Sequence, residues 1–416
     1  MARIIRNTNL KKENLNKEQS LWVYCGLDCE ITTEVWNKLS PQLDNHTKNT
    51  YEFERSCLGP AISMVLRGLR VDERAVTMIR APLKKKKLKL ERMLNLFANA
   101  VWDKNLNHNS HYQLKEILYT YLNLPKEVKY EKGKQRISTD HNALEHLIEE
   151  YPRARPFCKT IIALRDIDKM LTVLASKRDG DGRIRCTYQV AGTQTGRWSS
   201  KESPWGTGTN LQNITKDLRA VFIPDRGRIM FYADLQAAES RATAYLSGDE
   251  GYINAVESSD LHTEVARMVW PNLGWSEDQE QNRELAEQPY FGNYTYRDVC
   301  KRAGHGTNYG ASHTTVSRNI KIKGSQAKRF QLLYYGGVEP LNNLNRWHKQ
   351  DKRGGFDELI EMGEVIGSGA QQLVKVKGAF PGIRSWHDEV VKELQTTGNL
   401  ITPFGRRRQF WGRLDD

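Results

Sequence analysis

Apolar residues recur at helical spacing along most of the chain. Residues 22–39, WVYCGLDCEITTEVWNKL, predict an amphipathic helix, and the polar residues 1–20 before it predict a flexible start. A long charged helical region follows. Within it, LKKKKLKLERMLNLF (83–97) sets Leu83, Leu88, Leu90, Met93, Leu94 and Phe97 on one apolar stripe. KEVKYEKGKQRI (126–137) is polar, contains Gly133 and reads as a loop. Helical spacing resumes over 141–175, and RIRCTYQV (183–190) alternates as a strand does. GTGTN (206–210) is a Gly-rich loop. After the turn PDRG, RIMFYADL (228–235) reads as a short buried strand ending in an acid. Helices dominate from 238 onward, and there is no internal repeat or low-complexity tract. No apolar run approaches the roughly 20 residues of a membrane helix.

At 416 residues the chain is long enough for two or three domains and a sizeable core. Lys and Arg number 63 against 50 Asp and Glu, a formal charge of +13. Such a surplus speaks of partners more than of fold, and a polyanion is its commonest reason; an ordinary basic enzyme is the plainer one. The run Lys84–Lys87 is then either a solvated helix face or one that tracks nucleic acid. Six cysteines, at 25, 29, 57, 158, 186 and 300, form no CxxC pair, so neither a zinc site nor a disulfide framework is expected. The opening MARIIRNTNLKKENLN has no apolar stretch of a secretory signal, which makes the cytoplasm the expected location.

Four segments concentrate the chemistry: TQTGRWSS (193–200) with NLQNI (210–214); FYADLQAAESRATAYLSGDE (231–250); DLHTE (260–264) with RDVCKRAGHGTNYG (297–310); and TPFGRRRQF (402–410). Asp234 at a strand end, beside the Leu235 carbonyl, offers oxygen ligands that hard divalent cations favour, although many such acids only cap helices. Arg297, Lys301, His305 and Tyr309 recur every fourth residue. At ~100° per residue they drift only ~40° per step and form a stripe ~18 Å long. Cations followed by an imidazole and a phenol suit a nucleoside triphosphate. A solvated helix face is the alternative, but Gly304, Gly306, Asn308 and Gly310 make a poor helix and fit a backbone that something approaches closely.

Together, and in this order, these segments resemble the motifs of the family-A DNA polymerases. The resemblance spans about 22–416 and is densest over 193–310. It implies an α+β right-hand fold and nucleotidyl transfer from a dNTP to a primer 3′-OH, with primer-template DNA as partner and two Mg2+ ions as cofactors. Asp234 would be the first catalytic, metal-binding aspartate, with the Leu235 carbonyl as a further ligand. Glu239 would be the steric gate against a ribose 2′-hydroxyl. Arg297 and Lys301 would hold the triphosphate with help from His262, and Gln236, His305 and Tyr309 would line the nucleotide. Thr195 and Arg197 would meet the primer-template, as would Gln212, Asn213 and Arg241, and Lys169 in RDIDKML falls where the family has a thumb-base lysine. The implied domains are an exonuclease end at 1–45, a thumb at 46–185, palm at 186–261, fingers at 262–395 and an incomplete return to the palm at 396–416.

The chain departs from the family at several points. His305 stands where Phe or Tyr is usual, and Gln236-Ala237 replaces a Ser-Gln pair. PWGTG (204–208) and FPGIRSWH (380–387) fit phage-type members. His387-Asp388-Glu389 matches the family's second catalytic triplet in letters only. Ile383, Trp386, Val390 and Leu394 around it follow helical spacing, and it precedes GRRR instead of following it. With that aspartate missing, and with only Tyr24 and Asp28 resembling the last exonuclease motif, a split polymerase is expected. Separate polypeptides would then bring the exonuclease front and the last palm motif, and the chain alone would neither extend primers nor proofread. A piece of a longer protein is the alternative to a split. A non-catalytic DNA-binding scaffold and a single-subunit RNA polymerase are the competing functions.

Overall fold

The computed structural model describes residues 15–410 apart from 132, 204, 292–293 and 351–355. It divides into two compact units. The first runs to Phe231 and includes Pro403–Arg406; the second comprises Tyr232–Thr402 and the residues from Arg407.

In the first unit, α1 (Lys17–Leu39) opens on a capping box in which Asn16 and Gln19 each accept the other's backbone N–H, at 2.8 and 3.0 Å. Helix therefore begins at Lys17, where a flexible start extending to residue 20 is expected from the sequence; residues 1–14 of that expectation lie outside the described residues. Helix α2 (Asn45–Arg67) is capped by Asp44 and stops at Gly68, φ +59, where a Cβ would strike the Ile184 carbonyl oxygen. Strand β1 (Leu69–Val71) leads into α3 (Glu73–Trp102), capped by Asp72. Helix α6 (Arg155–Leu174) packs on α3, and α5 (His141–Glu150) on α6, and with the short α4 (His111–Lys115) they share a core around Leu94, Leu114, Leu118, Leu147, Ile161 and Leu164. The stripe expected over 83–97 is only partly a core face. Leu94 is buried, but Leu88 and Phe97 are exposed, and Ala98 and Trp102 continue the buried line. Nor is the lysine run uniform: Lys87 Nζ lies 2.5 Å from Asp168 of α6, which also meets His108 at 2.7 Å. That cluster holds the Asp168 carboxyl at about 2, burial opposing and the Lys87, Asn109 and His108 contacts outweighing it.

The polar stretch 126–137, expected as a loop, is the hairpin β2 (Val128–Glu131) and β3 (Lys134–Ile137). Gly133 at φ +71 supplies the left-handed residue a tight turn needs. The single strand expected over 183–190 is two. Residues Arg183–Ile184 (β4) join β1 and β7 (Phe222–Ile223) in one antiparallel sheet, and Thr187–Gln189 (β5) pairs with Ser199–Lys201 (β6). The chain changes sheets at Arg185, whose guanidinium donates to Asp179 and Asp181 and to the Leu66 carbonyl. The buried strand expected over 228–235 does not form. This segment is irregular, with Ile229 87%, Phe231 82% and Tyr232 73% exposed. A strand exists only with a partner for its backbone groups, and no strand among the described residues pairs with this one.

The second unit is mostly helical, as expected beyond 238. It runs through α7 (Ala238–Ser247), α8 (Glu250–Glu257), α9 (Leu261–Val269), α10 (Gln279–Ala286), β8 (Pro289–Phe291), β9 (Tyr294–Thr295), α11 (Tyr296–Asn308), α12 (His313–Ile320) and α13 (Gly324–Tyr335). Then come β10 (Gly337–Pro340), α14 (Leu341–Gln350), α15 (Phe356–Glu361), β11 (Gly363–Ile366), β12 (Leu373–Val376), α16 (Pro381–Thr397), β13 (Asn399–Ile401) and β14 (Arg407–Gln409). β12 lies between β10 and β11, antiparallel to both. The core gathers Trp270, Tyr290, Phe330, Tyr334 and Phe380 with smaller apolar residues of α8 to α13. His387-Asp388-Glu389 lies within α16, as its helical spacing predicts; Asp388 is exposed beside Arg384, and His387 Nε2 is 3.0 Å from the Asn308 carbonyl oxygen.

Candidate functional site

A cleft of about 650 Å3 in the second unit gathers Leu235, Gln236 and Glu239, Asp260 and His262, and Arg297, Lys301, Gly304 and His305 from three stretches of sequence, with Tyr252, Arg283 and Tyr334 completing its lining. Leu235 and Gln236 lie on the irregular stretch before α7, and the other side chains are placed by a helix end or face. Helix α7 presents Glu239 in its first turn. It follows Ala237 at φ +50, a left-handed conformation that costs a residue with a Cβ about 1–2 kcal/mol. Asp260 caps α9, accepting the His262 and Thr263 N–H groups, and so sets His262 at the helix start.

Helix α11 forms despite its glycines. A capping box between Thr295 and Asp298 opens it, and its inner face, Val299, Cys300, Ala303, Gly304 and Thr307, is buried in the core. Tertiary packing thus overrides a weak propensity. The outer face carries Arg297, Lys301 and His305 along the cleft, as the four-residue spacing predicts. Tyr309 caps the helix and is exposed, its ring 5.1 Å from that of His305. His305 Nε2 lies 3.7 Å from Glu239 Oε2. The helix end is fixed by groups the motif reading missed. The Asn308 side chain donates to the Tyr252 hydroxyl at 2.6 Å and accepts from the Tyr334 hydroxyl at 2.9 Å.

Arg297 donates to both oxygens of Asp260, at 3.0 and 3.1 Å. This bidentate pair fixes the guanidinium, and the sequence signal for Asp260 is its cap position ahead of an apolar helix. Burial alone would raise the Asp260 carboxyl, but Arg297 outweighs it and holds the group below the usual carboxylate range. His262 is driven the other way. Burial first, then Arg297 and Lys301, push it down to about 4 against the pull of Asp260, so its imidazole is neutral at pH 7. The cleft therefore offers an anion Arg297, held by Asp260, with Lys301 and Arg283 also in its lining, and an uncharged ring.

Asp234 is exposed on the irregular segment just before the cleft-lining Leu235. Among the described residues no group of three or more His, Cys, Asp or Glu is placed to hold an ion. One carboxylate and one carbonyl do not make a two-metal site, so the described residues by themselves do not fit the two-ion centre expected from the sequence.

The first unit gathers a second set. The hairpin β5–β6 carries the loop 190–198, with Thr195 and Arg197 exposed on it. Gln212, in the single helical turn Leu211–Asn213, donates to the Trp198 carbonyl at 3.3 Å, and Ser200 donates to Asn210 at 2.5 Å. TGR and NLQNI, with twelve residues between them, are thus brought together. Asn213 is exposed on the same turn. Lys169 is exposed on α6, paired with Asp166 at 3.2 Å. Arg241 belongs to the second unit, on α7, paired with Glu257 and donating to the Gln236 carbonyl at 3.3 Å.

The DNA polymerase family A model matches residues 78–352. DNA polymerase I of Caldicellulosiruptor bescii is 29% identical over 385 residues, covering 83% of this chain and 42% of its own length. That of Mycobacterium bovis is 32% identical over 255 residues, 58% of this chain and 25% of its own. The polymerase domain of Pol1 from M. smegmatis, solved in complex with DNA primer-template and dNTP, superimposes with a TM-score of 0.54 at 24% identity, over 84% of this chain and 51% of that one. The chain belongs to the family-A DNA polymerases, and its α+β fold is that of their polymerase domain. It spans less than half the length of the two curated relatives. Members of this family use divalent metal ions, generally Mg2+. Among the described residues no helix is long and apolar enough to cross a membrane.

Proposed function

We propose that this chain carries out template-directed DNA synthesis, joining a dNTP to a primer 3′-OH. The observation that supports this most is the convergence of Glu239, His262, Arg297, Lys301 and His305 on one cleft from three stretches of sequence. In this reading Arg297, oriented by Asp260, and Lys301 hold the triphosphate, and neutral His262 donates a hydrogen bond to it. Gln236, Glu239, His305 and Tyr309 surround sugar and base, with Glu239 excluding a 2′-hydroxyl. Thr195, Arg197, Gln212, Asn213, Lys169 and Arg241 grip primer-template, the thumb and fingers being 46–185 and 262–395.

Asp234 is the metal carboxylate of this reading, and the second comes from a partner polypeptide whose strands pair with 228–235. The exposure of Ile229 and Phe231 on a segment that joins no sheet among the described residues supports that partner. Without that partner the chain extends primers negligibly. The test is primer extension by the chain with and without that polypeptide. Extension is expected only on reconstitution, and Asp234→Ala is expected to abolish it while leaving primer-template affinity within about twofold. Normal extension by that variant would refute the reading.

A further inference from the structure

The loop that presents Thr195 and Arg197 is held from two sides. Within it, the Gly196 N–H donates to the Thr193 carbonyl at 3.0 Å, closing a four-residue turn. The Thr193 hydroxyl donates to the Arg197 carbonyl at 3.0 Å and sits 3.1 Å from the Thr195 hydroxyl. On the other side lies Arg406. Gly196 has φ +79, and a Cβ there would come 2.5 Å from the Arg406 guanidinium carbon and 2.6 Å from its Nε. The guanidinium can occupy that place only because the residue is glycine. Arg406 is itself held by an ion pair with Glu54 of α2, and the two side chains keep only 27% and 23% of their surface in solvent. Removing one end of a partly buried pair of this kind leaves the other without its compensating charge.

We propose that Glu54 and Arg406 form a clamp that sets the Thr193–Arg197 turn for its grip on primer-template, with Arg406 a positioning residue that acts through Gly196 and touches no phosphate itself. The inference rests on the proposed role of Arg197 in binding DNA. It has an unusual sign. Removing an acid from a basic chain should by itself strengthen polyanion binding. Glu54→Gln removes the acid and the clamp together, so the clamp requires weaker binding.

The experiment measures the affinity of the full chain for a recessed primer-template duplex across a salt series. Arg197→Ala is expected to weaken binding about tenfold and to lower the salt slope by about one phosphate contact. If Arg197→Ala binds as the parent does, the DNA-binding reading of the loop fails, and the clamp with it. With Arg197 established, Glu54→Gln is expected to weaken binding about three- to tenfold at unchanged slope, and Glu54→Asp to restore part of the loss. The double variant is expected to be no weaker than Arg197→Ala alone, because both changes act on one contact. Unchanged circular dichroism and dNTP affinity in Glu54→Gln exclude general unfolding as the cause. Tighter binding by Glu54→Gln, additive losses in the double variant, or a lower salt slope for Arg406→Ala would each overturn the proposal.

Discussion

His262 carries the clearest single-residue consequence. Its folded value of about 4 lies below the ordinary 6.5 because burial and two cations oppose its charge. A triphosphate bound at Arg297 and Lys301 would bring negative charge beside it and raise that value. Nucleotide binding is then coupled to proton uptake from about pH 4 upward, over a window set by how far the bound value rises. By linkage, affinity rises as pH falls through that window, by at most tenfold per pH unit for one proton. The sign reverses for folding without nucleotide. There the unfolded chain takes up the proton first, so stability is full above pH 6.5 and declines towards 4. Calorimetric titration with a dNTP near pH 6, in buffers of different ionisation heat, should show this uptake. His262→Gln should remove it while leaving the phosphate's own titration in place. Equal proton uptake in both proteins would contradict the assignment.

Helix α11 joins the residue scale to the element scale, because its glycines have two jobs that pull apart. A Cβ on Gly304 would meet the Tyr334 ring at 3.6 Å, an ordinary contact, while the backbone there lines the cleft. Gly304→Ala is therefore expected to raise stability by up to about 1 kcal/mol from helix propensity and to weaken dNTP binding. Thermal melts and dNTP titration would show both; a variant that binds dNTP normally would mean that nucleotide does not approach this face. What was legible at this scale follows from how local the signal is. The stripe Arg297, Lys301, His305 and the helical setting of His387 lie in local spacing, and both appear where the spacing puts them. The β2–β3 hairpin did not show, because strands of four residues with few buried side chains lack a clean period of two. The Lys87–Asp168 pair bridges residues 81 apart in sequence, and Asp260 reads as a mere cap until Arg297 is placed against it. The segment 228–235 has the letters of a buried strand, yet being a strand depends on a partner that letters cannot supply.

That segment decides the argument at the scale of the molecule. Each unit has its own core, around Leu94, Leu118 and Leu164 in the first and Trp270, Tyr290 and Tyr334 in the second. The chain passes from one unit to the other at Phe231–Tyr232, where it is irregular and exposed. Proteolysis selects exposed backbone free of regular hydrogen bonding, and aromatic residues direct chymotrypsin. Limiting chymotrypsin should therefore cut early after Phe231 or Tyr232, as after Trp205 and Phe404, which are also exposed outside helices and strands, and later after Trp22 and Phe53, which are exposed but lie within helices α1 and α2. The same cut reports on the proposed partner. A polypeptide that pairs strands with 228–235 would engage the backbone the protease must enter. Cleavage there should then slow at least tenfold on reconstitution, while a cut elsewhere in the chain keeps its rate. If extension is restored but cleavage at 231–232 keeps its rate, the partner supplies its carboxylate without covering this segment, and the exposure of 228–235 has another explanation.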